Sequence, residues 1–359
     1  MFRFRNQFQF FFVVTLWLFQ CTSKTPRVTD LYEVDEAIQD SMDADTYLTE
    51  FTETTNDLSE VEEREGLAYD ADISVDSMEY AQIEDISPDT DISVDLPSVI
   101  GGDRPATVIL PSNYTSKQAW PLLILLHGYG VNGTLQDLYL GVSARVDRLG
   151  FIEVIPEGTQ NVYGLQFWNA APSGSGFAEV DDVAYLRALI EEAKNTYHID
   201  DTKIILLGHS NGAFMAYRMA CEASDIVTAV GTLAGSIFGG LETCLPSKKV
   251  SVLHMHGTSD TVVPYQGGEL LGIPYPSVEE LIAFWRSVDE CSDDISPTES
   301  FDADEAVLSE ETTVMSWTHC SSGSFVELWK MEGSPHIPAF TEQAKDRMLE
   351  RLIGIRKDQ

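Results

Sequence analysis

One short segment of the chain places a serine in a setting suited to nucleophilic catalysis. Residues 208–212 read Gly-His-Ser-Asn-Gly, after an apolar run at 203–207 and before a helical pattern at 213–223. A strand, Gly-x-Ser-x-Gly and a helix in this order form a turn so tight that the residues flanking the serine must be nearly side-chain-free. The turn exposes the serine hydroxyl beside the positive end of a helix dipole. We therefore predict Ser210 as a nucleophile, with an ordinary glycine-rich turn as the alternative.

A second segment is suited to supply oxyanion donors. An apolar run at 121–126 leads into His-Gly-Tyr-Gly at 127–130. A strand that ends in His-Gly-x-Gly matches a loop that contributes a backbone N–H to an oxyanion hole. We predict the N–H groups of Tyr129 and Asn211 as the two donors, and we interpret His127 as a structural hydrogen-bonding residue.

The acid and base are predicted from their order along the chain. In hydrolases that have the Gly-x-Ser-x-Gly turn, this order is serine, then Asp or Glu, then histidine. Asp260 follows the apolar strand pattern at 250–256, so it lies on a loop at the carboxyl end of a strand. His336, the last of seven histidines, follows the last strand pattern and is predicted as the general base. Rival acids lie in a polar stretch without such a strand: Asp293, Asp294, Asp302 and Asp304.

Two further histidines, His254 and His256, resemble a metal pair because they share one face of a strand. No third ligand lies nearby in sequence, so we interpret them as hydrogen-bonded strand residues. The sequence therefore implies no metal and no organic cofactor.

The elements that must position these residues alternate between short apolar runs and helical patterns. Buried parallel strands read as continuous apolar runs, with helices crossing between them. Residues 96–359 are therefore predicted as an α/β domain with one mostly parallel central sheet and helices on both faces. Predicted strands lie at 107–110, 121–126, 151–155, 203–207, 250–255 and 325–330, and predicted helices at 180–197, 213–223, 277–288 and 341–353.

The overall charge restricts the classes of partner. The chain of 359 residues has 22 Lys and Arg against 58 Asp and Glu, a formal net charge of −36. A surface of this sign is repelled by nucleic acid and by anionic lipid headgroups. Five cysteines are too few for a disulfide scaffold, although they allow one or two bridges in an oxidising compartment.

The N-terminus is typical of an export signal. Arg3 and Arg5 precede an apolar run at about 10–19, which is shorter than the roughly 20 residues of a membrane span. Residues 1–21 are therefore predicted to direct export, with a short membrane anchor as the alternative. Cys21 stands where a bacterial lipoprotein is lipidated, but residues 18–20 (Leu-Phe-Gln) depart from the usual small residues, so lipidation and its absence both remain open.

An acidic segment separates this signal from the domain. Residues 22–95 have 23 acidic and three basic side chains, with no sustained apolar periodicity. Low hydrophobicity with like charge cannot offset the entropy of ordering a chain. We predict a disordered tether.

The combined motifs resemble a known group of secreted enzymes. Gly-His-Ser-Asn-Gly at 208–212, residues 180–189 and 197–200 before it, and His-Gly-Thr-Ser-Asp-Thr-Val-Val-Pro-Tyr at 256–265 are similar to polyhydroxybutyrate depolymerase-type esterases. These are close to the feruloyl and acetylxylan esterases of carbohydrate esterase family 1. The resemblance covers about 101–353. It implies an α/β-hydrolase fold with Ser210, Asp260 and His336 as the triad.

The resemblance also bears on the substrate and on the cysteines. It places Trp168 in an aromatic segment often near the substrate, with a core role as the alternative. The family often has Gly-Gly-Gly-His-Thr-Trp-Pro where residues 332–338 read Glu-Gly-Ser-Pro-His-Ile-Pro, a departure that affects acyl or alcohol specificity. The resemblance implies the pairs Cys221–Cys244 and Cys291–Cys320, with free buried thiols as the alternative.

These observations favour a secreted or surface-tethered serine esterase that cleaves polyhydroxybutyrate-type, feruloyl or acetyl-xylan esters through an acyl-enzyme. It would work outside the cytoplasm, either extracellularly, at the cell surface or in the periplasm, on a substrate that could be polymeric. Cys21 could carry a lipid tether to the membrane. Two alternatives are a non-catalytic surface binding protein on a hydrolase fold and a serine peptidase of the same fold.

Overall fold

A ten-stranded mixed sheet forms the centre of the computed structural model, which describes residues 96–171, 179–296 and 298–354. The spatial strand order is β1-β2-β4-β3-β7-β8-β9-β14-β13-β12. The sheet strands are β1 (Val99–Ile100), β2 (Ala106–Ile109), β3 (Trp120–Leu126), β4 (Ile152–Pro156), β7 (Ile199–His209), β8 (Ala229–Leu233), β9 (Ser251–Gly257), β12 (Glu299–Phe301), β13 (Thr312–Trp317) and β14 (Val326–Met331). Two hairpins lie outside it: β5 (Thr159–Gln160) with β6 (Gln166–Phe167), and β10 (Gly268–Leu270) with β11 (Ile273–Tyr275).

The pairing changes from parallel in the centre to antiparallel at both edges. The consecutive pairs from β4 through β3, β7, β8 and β9 to β14 are parallel. The pairs β1–β2, β2–β4, β12–β13 and β13–β14 are antiparallel. The carboxyl ends of the central strands therefore meet along one edge, where an open α/β sheet places its functional loops.

Helices cover both faces of this sheet. They are α1 (Gly133–Leu140), α2 (Val146–Leu149), α3 (Asp182–Thr196), α4 (Asn211–Glu222), α5 (Val278–Val288) and α6 (Glu342–Ile353). In β3, Leu122 and Ile124 pack into the core beneath α3, α4 and α5, whereas Leu123 and Leu125 pack into the core beneath α1, α2 and α6. Both faces are buried, which explains the continuous apolar run of this strand.

The predicted fold class is confirmed, and each predicted strand and helix has a counterpart. Ten of the elements described above had no predicted counterpart: the helices α1 and α2 and the strands β1, β5, β6, β8, β10, β11, β12 and β13. Strand β13 lies in the acidic stretch before the last strand, where it pairs with β14 from Thr312↔Met331 to Trp317↔Val326. The predicted export signal at 1–21, with Cys21, and the predicted tether at 22–95 lie outside the described residues.

Candidate active site

Ser210 stands between the end of β7 and the start of α4. Its backbone has φ 52° and ψ −120°, a left-handed φ that is costly for a residue with a side chain. A Cβ at Gly208 would lie 2.3 Å from the carbonyl oxygen of Gly212, and one at Gly212 would lie 2.2 Å from the carbonyl oxygen of Leu126. Both glycines of the motif are therefore required by close backbone approach.

Asp260 and His336 meet beyond the ends of β9 and β14. The Nδ1 atom of His336 lies 2.7 Å from Oδ2 of Asp260, and both side chains are buried. Because the carboxylate is an acceptor, Nδ1 carries the proton and Nε2 is the basic nitrogen of the neutral ring.

Backbone hydrogen bonds join the two loops that carry this pair. The N–H of Thr258 donates to the carbonyl of Met331 at 2.8 Å, and the N–H of Ser259 donates to that of Ser334 at 3.1 Å. A Cβ at Gly257 would lie 2.2 Å from the Ser334 oxygen, so the close approach requires glycine there. Parallel pairing of β9 with β14 sets the register, and these contacts extend it past the strand ends.

The Asp260 carboxylate accepts several hydrogen bonds. Its Oδ1 accepts from the backbone N–H groups of Val262 and Val263, both at 2.8 Å. Its Oδ2 accepts from His336 and lies 3.3 Å from Nε2 of His256. Burial would raise the pKa of Asp260, but His336 and His256 together hold it below its ordinary value. The carboxylate therefore remains ionised at neutral pH.

His209, which precedes the serine, holds the loop of His336 in place. Its Nε2 lies 3.2 Å from the His336 carbonyl oxygen, so Nε2 donates, and the two ring centroids are 5.1 Å apart. Burial, followed by the facing His336, lowers the pKa of His209 to about 3, which keeps this ring neutral. On the same loop, the Tyr139 hydroxyl donates to the Pro338 carbonyl at 2.8 Å. Sequence reasoning missed both contacts because their partners are distant in the chain.

His127 has bonding that suits the structural interpretation. Its Nδ1 lies 2.7 Å from the Gly128 carbonyl oxygen, and its Nε2 accepts from the Gly158 N–H at 2.9 Å. Burial lowers the pKa of His127 to about 4, so the ring is neutral with both nitrogens engaged.

Trp168 is fully buried and links the two predicted oxyanion segments. Its indole Nε1–H donates to the His127 carbonyl at 3.1 Å. Its backbone exchanges two hydrogen bonds with the Asn211 side chain, at 2.7 and 2.9 Å. The burial of the indole supports the core role of Trp168. The predicted contact with substrate would require an indole ring that is exposed to the site.

The backbone N–H groups of residues 128–130 differ in whether they have a hydrogen-bond acceptor. The N–H of Gly128 donates to the Gln136 side chain at 3.2 Å, and that of Gly130 donates to the Gln166 carbonyl at 2.8 Å. Within the described part of the chain, the Tyr129 N–H has no such acceptor. Asn211 is the first residue of α4, so its N–H has no acceptor within the helix.

The rival acids do not contact His336. Asp304 is buried, and its Oδ1 accepts from the backbone N–H groups of Ala306 and Ala339 at 3.1 and 2.9 Å. It therefore braces the segment after His336 without reaching the ring. Asp293 and Asp302 are exposed.

Both cysteine pairings are confirmed. Disulfides join Cys221 to Cys244 and Cys291 to Cys320. The first ties the end of α4 to the segment before β9, and the second closes the stretch that contains β12 and β13.

Among the described residues, no group of three or more His, Cys, Asp or Glu side chains converges as a metal site would require. Within 96–171, 179–296 and 298–354, no helix has the length and apolar character needed to span a membrane.

The mostly parallel central sheet with helices on both faces is that of the α/β-hydrolase fold. Residues 113–290 match the phospholipase/carboxylesterase family, a region that contains Ser210 and Asp260 and ends before His336. Part of the chain, residues 113–290, is thus similar to the phospholipase/carboxylesterase family.

Several known proteins are similar to this chain. The bifunctional acetylxylan esterase/xylanase XynS20E of Neocallimastix patriciarum is 25% identical over 240 residues, which cover 67% of this chain and 32% of that protein. Feruloyl esterase B of Piromyces equi is 31% identical over 171 residues, covering 46% of this chain and 31% of its own length. The chain thus spans about a third of the length of these two relatives.

A solved structure supports the fold. The acetyl xylan esterase from Aspergillus awamori superposes with a TM-score of 0.51 at 15% identity, covering 71% of this chain and 95% of that one. At this identity the similarity is evidence for the shared fold alone.

Proposed function

We propose that the chain is a serine esterase that hydrolyses carboxylic esters through an acyl-enzyme. The observation that carries the proposal is the 2.7 Å contact from His336 Nδ1 to Asp260 Oδ2. His209, the residue before Ser210, contacts the His336 backbone, which supports a position of this pair near the strained serine turn. The esterase relatives support the same reaction class.

Each member of the triad has a defined role in the proposal. Ser210 Oγ attacks the ester carbonyl carbon while His336 Nε2 takes the hydroxyl proton. The imidazolium then gives that proton to the departing alkoxide as the carbon–oxygen bond breaks. Water repeats the sequence on the acyl-serine and releases the acid. Asp260 stays ionised, holds the His336 tautomer and stabilises the imidazolium.

The oxyanion would be held by backbone donors. Tyr129 N–H is supported because both neighbouring N–H groups already have acceptors. Asn211 N–H is supported by its place at the first position of α4, where the helix dipole also favours negative charge. The Trp168 contacts with both segments would fix the spacing between these donors.

The substrates proposed are feruloyl or acetyl esters of the kind named for the relatives, with polyhydroxybutyrate-type esters as a further class. The segment 332–338 lacks the tryptophan of the resembling family, and Ile337, which follows His336, is buried. This departure bears on the acyl or alcohol preference.

Export is part of the proposal. The N-terminal sequence is typical of an export signal, and disulfides persist in oxidising compartments. We place the working domain outside the cytoplasm, either free or attached through the acidic segment and a lipid on Cys21.

The test compares the full chain with its Ser210→Ala variant on four esters: a short p-nitrophenyl ester, methyl ferulate, acetylated xylan and hydroxybutyrate oligomers. Ser210→Ala should lower kcat by about 10³-fold or more. The matched control is Ser112→Ala, which removes an exposed hydroxyl and should leave every rate unchanged. A folded chain that cleaves none of these esters would favour a binding protein, and cleavage of peptides alone would favour a peptidase.

A further inference from the structure

A row of buried polar groups leads away from the triad acid into the core. His256 Nε2 faces Asp260 Oδ2, and His256 Nδ1 lies 3.2 Å from His254 Nε2. The other nitrogen of His254 lies 2.9 Å from the Tyr217 hydroxyl and 3.0 Å from the Thr232 hydroxyl. All of these side chains are buried, and both histidines have essentially no exposed surface.

The chemistry of the partners fixes where the protons lie. His256 Nε2 faces two acceptors, the Asp260 carboxylate and the Val263 carbonyl at 2.8 Å, so it must carry a proton. Nδ1 of a neutral His256 is then an acceptor, and it takes a hydrogen bond from Nε2–H of His254. The bare Nδ1 of His254 in turn accepts from a hydroxyl of Tyr217 or Thr232.

Burial favours this neutral form of the chain. It lowers the pKa of His254 well below the ordinary value of a histidine, with the neighbouring His256 as the second cause. It also raises the pKa of the Tyr217 phenol, which therefore keeps its proton. Each nitrogen of the two rings then has a partner of the complementary kind.

We propose that Tyr217, His254 and His256 are positioning residues that form a one-directional hydrogen-bond chain ending on the turn at 260–263, which carries Asp260. The chain runs from the Tyr217 hydroxyl to His254 Nδ1, from His254 Nε2–H to His256 Nδ1, and from His256 Nε2–H to the Val263 carbonyl, with Asp260 Oδ2 3.3 Å from the same nitrogen. It links α4, which begins beside Ser210, to the carboxylate that orients His336. This proposal rests on the proposed function, because its kinetic consequence requires Asp260 to act in the triad.

The chain would act by sharing the charge and fixing the position of the carboxylate. Without His256, whose Nε2 lies 3.3 Å from Oδ2 and lowers the pKa of Asp260, the carboxylate would become a more basic acceptor. A more basic carboxylate would hold the Nδ1–H of His336 more tightly and would strengthen the imidazolium–carboxylate pair. Four titratable side chains surround this pair: His209 beside the His336 ring, His256 beside Asp260, Tyr265 beside the His256 ring, and Tyr275 within electrostatic range of Asp260.

The first test reads the protons directly and does not depend on activity. Long-range ¹H–¹⁵N spectra of the uniformly labelled full chain report which imidazole nitrogen carries hydrogen. We expect His254 and His256 both to be protonated at Nε2 alone, whereas His336 is protonated at Nδ1. Protonation of His254 or His256 at Nδ1 would overturn the proposed hydrogen-bond chain.

The second test uses paired variants on a short p-nitrophenyl ester. His256→Gln keeps a donor near the Nε2 position and should hold kcat within about threefold of the parent. His256→Leu removes the donor and should lower kcat about 10- to 100-fold with little change in KM. It should also move the acid limb of the pH profile of kcat/KM to higher pH. The matched control, His198→Leu, removes an exposed histidine outside the chain.

A double-mutant cycle distinguishes an effect of the hydrogen-bond chain on catalysis from an effect of altered core packing. His254→Leu should lower kcat in the parent, and it should have little further effect once His256→Leu is present. Additive losses, or equal losses in His256→Gln and His256→Leu without a shift of the pH profile, would overturn the positioning role. If the unmutated protein were inactive but its histidines had the expected tautomers, the proposed function would be contradicted and the hydrogen-bond chain would remain supported.

Discussion

Replacement of Asp260 by asparagine should reverse the tautomer of His336. The Oδ1 position of Asp260 accepts from two backbone N–H groups, those of Val262 and Val263. An asparagine must keep its carbonyl oxygen there to satisfy both donors, which places its NH₂ group at the Oδ2 position. That NH₂ would face His336 Nδ1 and also the Nε2–H of His256.

The consequence is a histidine protonated on the wrong nitrogen. Nδ1 of His336 would accept from the amide, so Nε2 would carry the proton and could not take one from Ser210. Loss of the correct tautomer lowers kcat by about 10⁴-fold in a serine triad. That factor corresponds to about 5.5 kcal/mol of transition-state stabilisation.

The assay is kcat for a short p-nitrophenyl ester, measured on Asp260→Asn beside two other carboxylate-to-amide variants. Asp302→Asn is the exposed control and should be unchanged. Asp304→Asn perturbs the segment after His336, so it should lower the free energy of unfolding with a smaller effect on kcat. An Asp260→Asn enzyme within tenfold of the parent, or a larger turnover loss in Asp304→Asn, would refute the reasoning.

Two further predictions concern stability. Burial, followed by the nearby Asp137, raises the pKa of Glu153 well above its ordinary value. The contribution of Glu153 to the free energy of unfolding is therefore greatest below about pH 4.3, its pKa in the unfolded chain. That contribution falls by up to about 1.4 kcal/mol per pH unit as the pH rises toward the pKa in the folded state. Glu153→Gln should therefore raise the Tm at pH 8 and change it little at pH 4, and an equal shift at both values would contradict this. Removal of the Cys291–Cys320 disulfide, whose cysteines are 29 residues apart, should lower the free energy of unfolding in urea by about 3.5 kcal/mol with no change of m-value. A loss under 1 kcal/mol would refute this prediction.

Local sequence patterns predicted the parts of the site that depend on neighbours along the chain. The turn around Ser210 follows from two glycines and flanking apolar periodicity, so it was predictable without tertiary information. Asp260 and His336 were predictable because parallel strands bring their carboxyl ends to one edge of the sheet, where the structure joins the two residues. Their roles in catalysis remain predictions.

Contacts between distant residues were beyond the sequence. His254 and His256 were interpreted correctly as hydrogen-bonded strand residues, but their partners lie on α4, on β8 and beyond the end of β9. His209 and the His336 carbonyl are 127 positions apart. No periodicity encodes such pairs, because the tertiary fold alone sets the distances.

Strand β13 was missed for a different reason. Its burial alternates along Thr312–Val314, and it follows a run of acidic residues, so the segment lacks the continuous apolar signal of the central strands. Its place beside β14 is set by antiparallel pairing at the sheet edge.

The measurement that tests the central claim most directly is the identity of the acylated residue. The full chain would be mixed with a short p-nitrophenyl ester, quenched in acid during the burst, digested and mapped by mass spectrometry. The account predicts one acyl group on the peptide that contains Ser210, and none in Ser210→Ala. Acylation of another residue, or turnover that persists in Ser210→Ala, would contradict it.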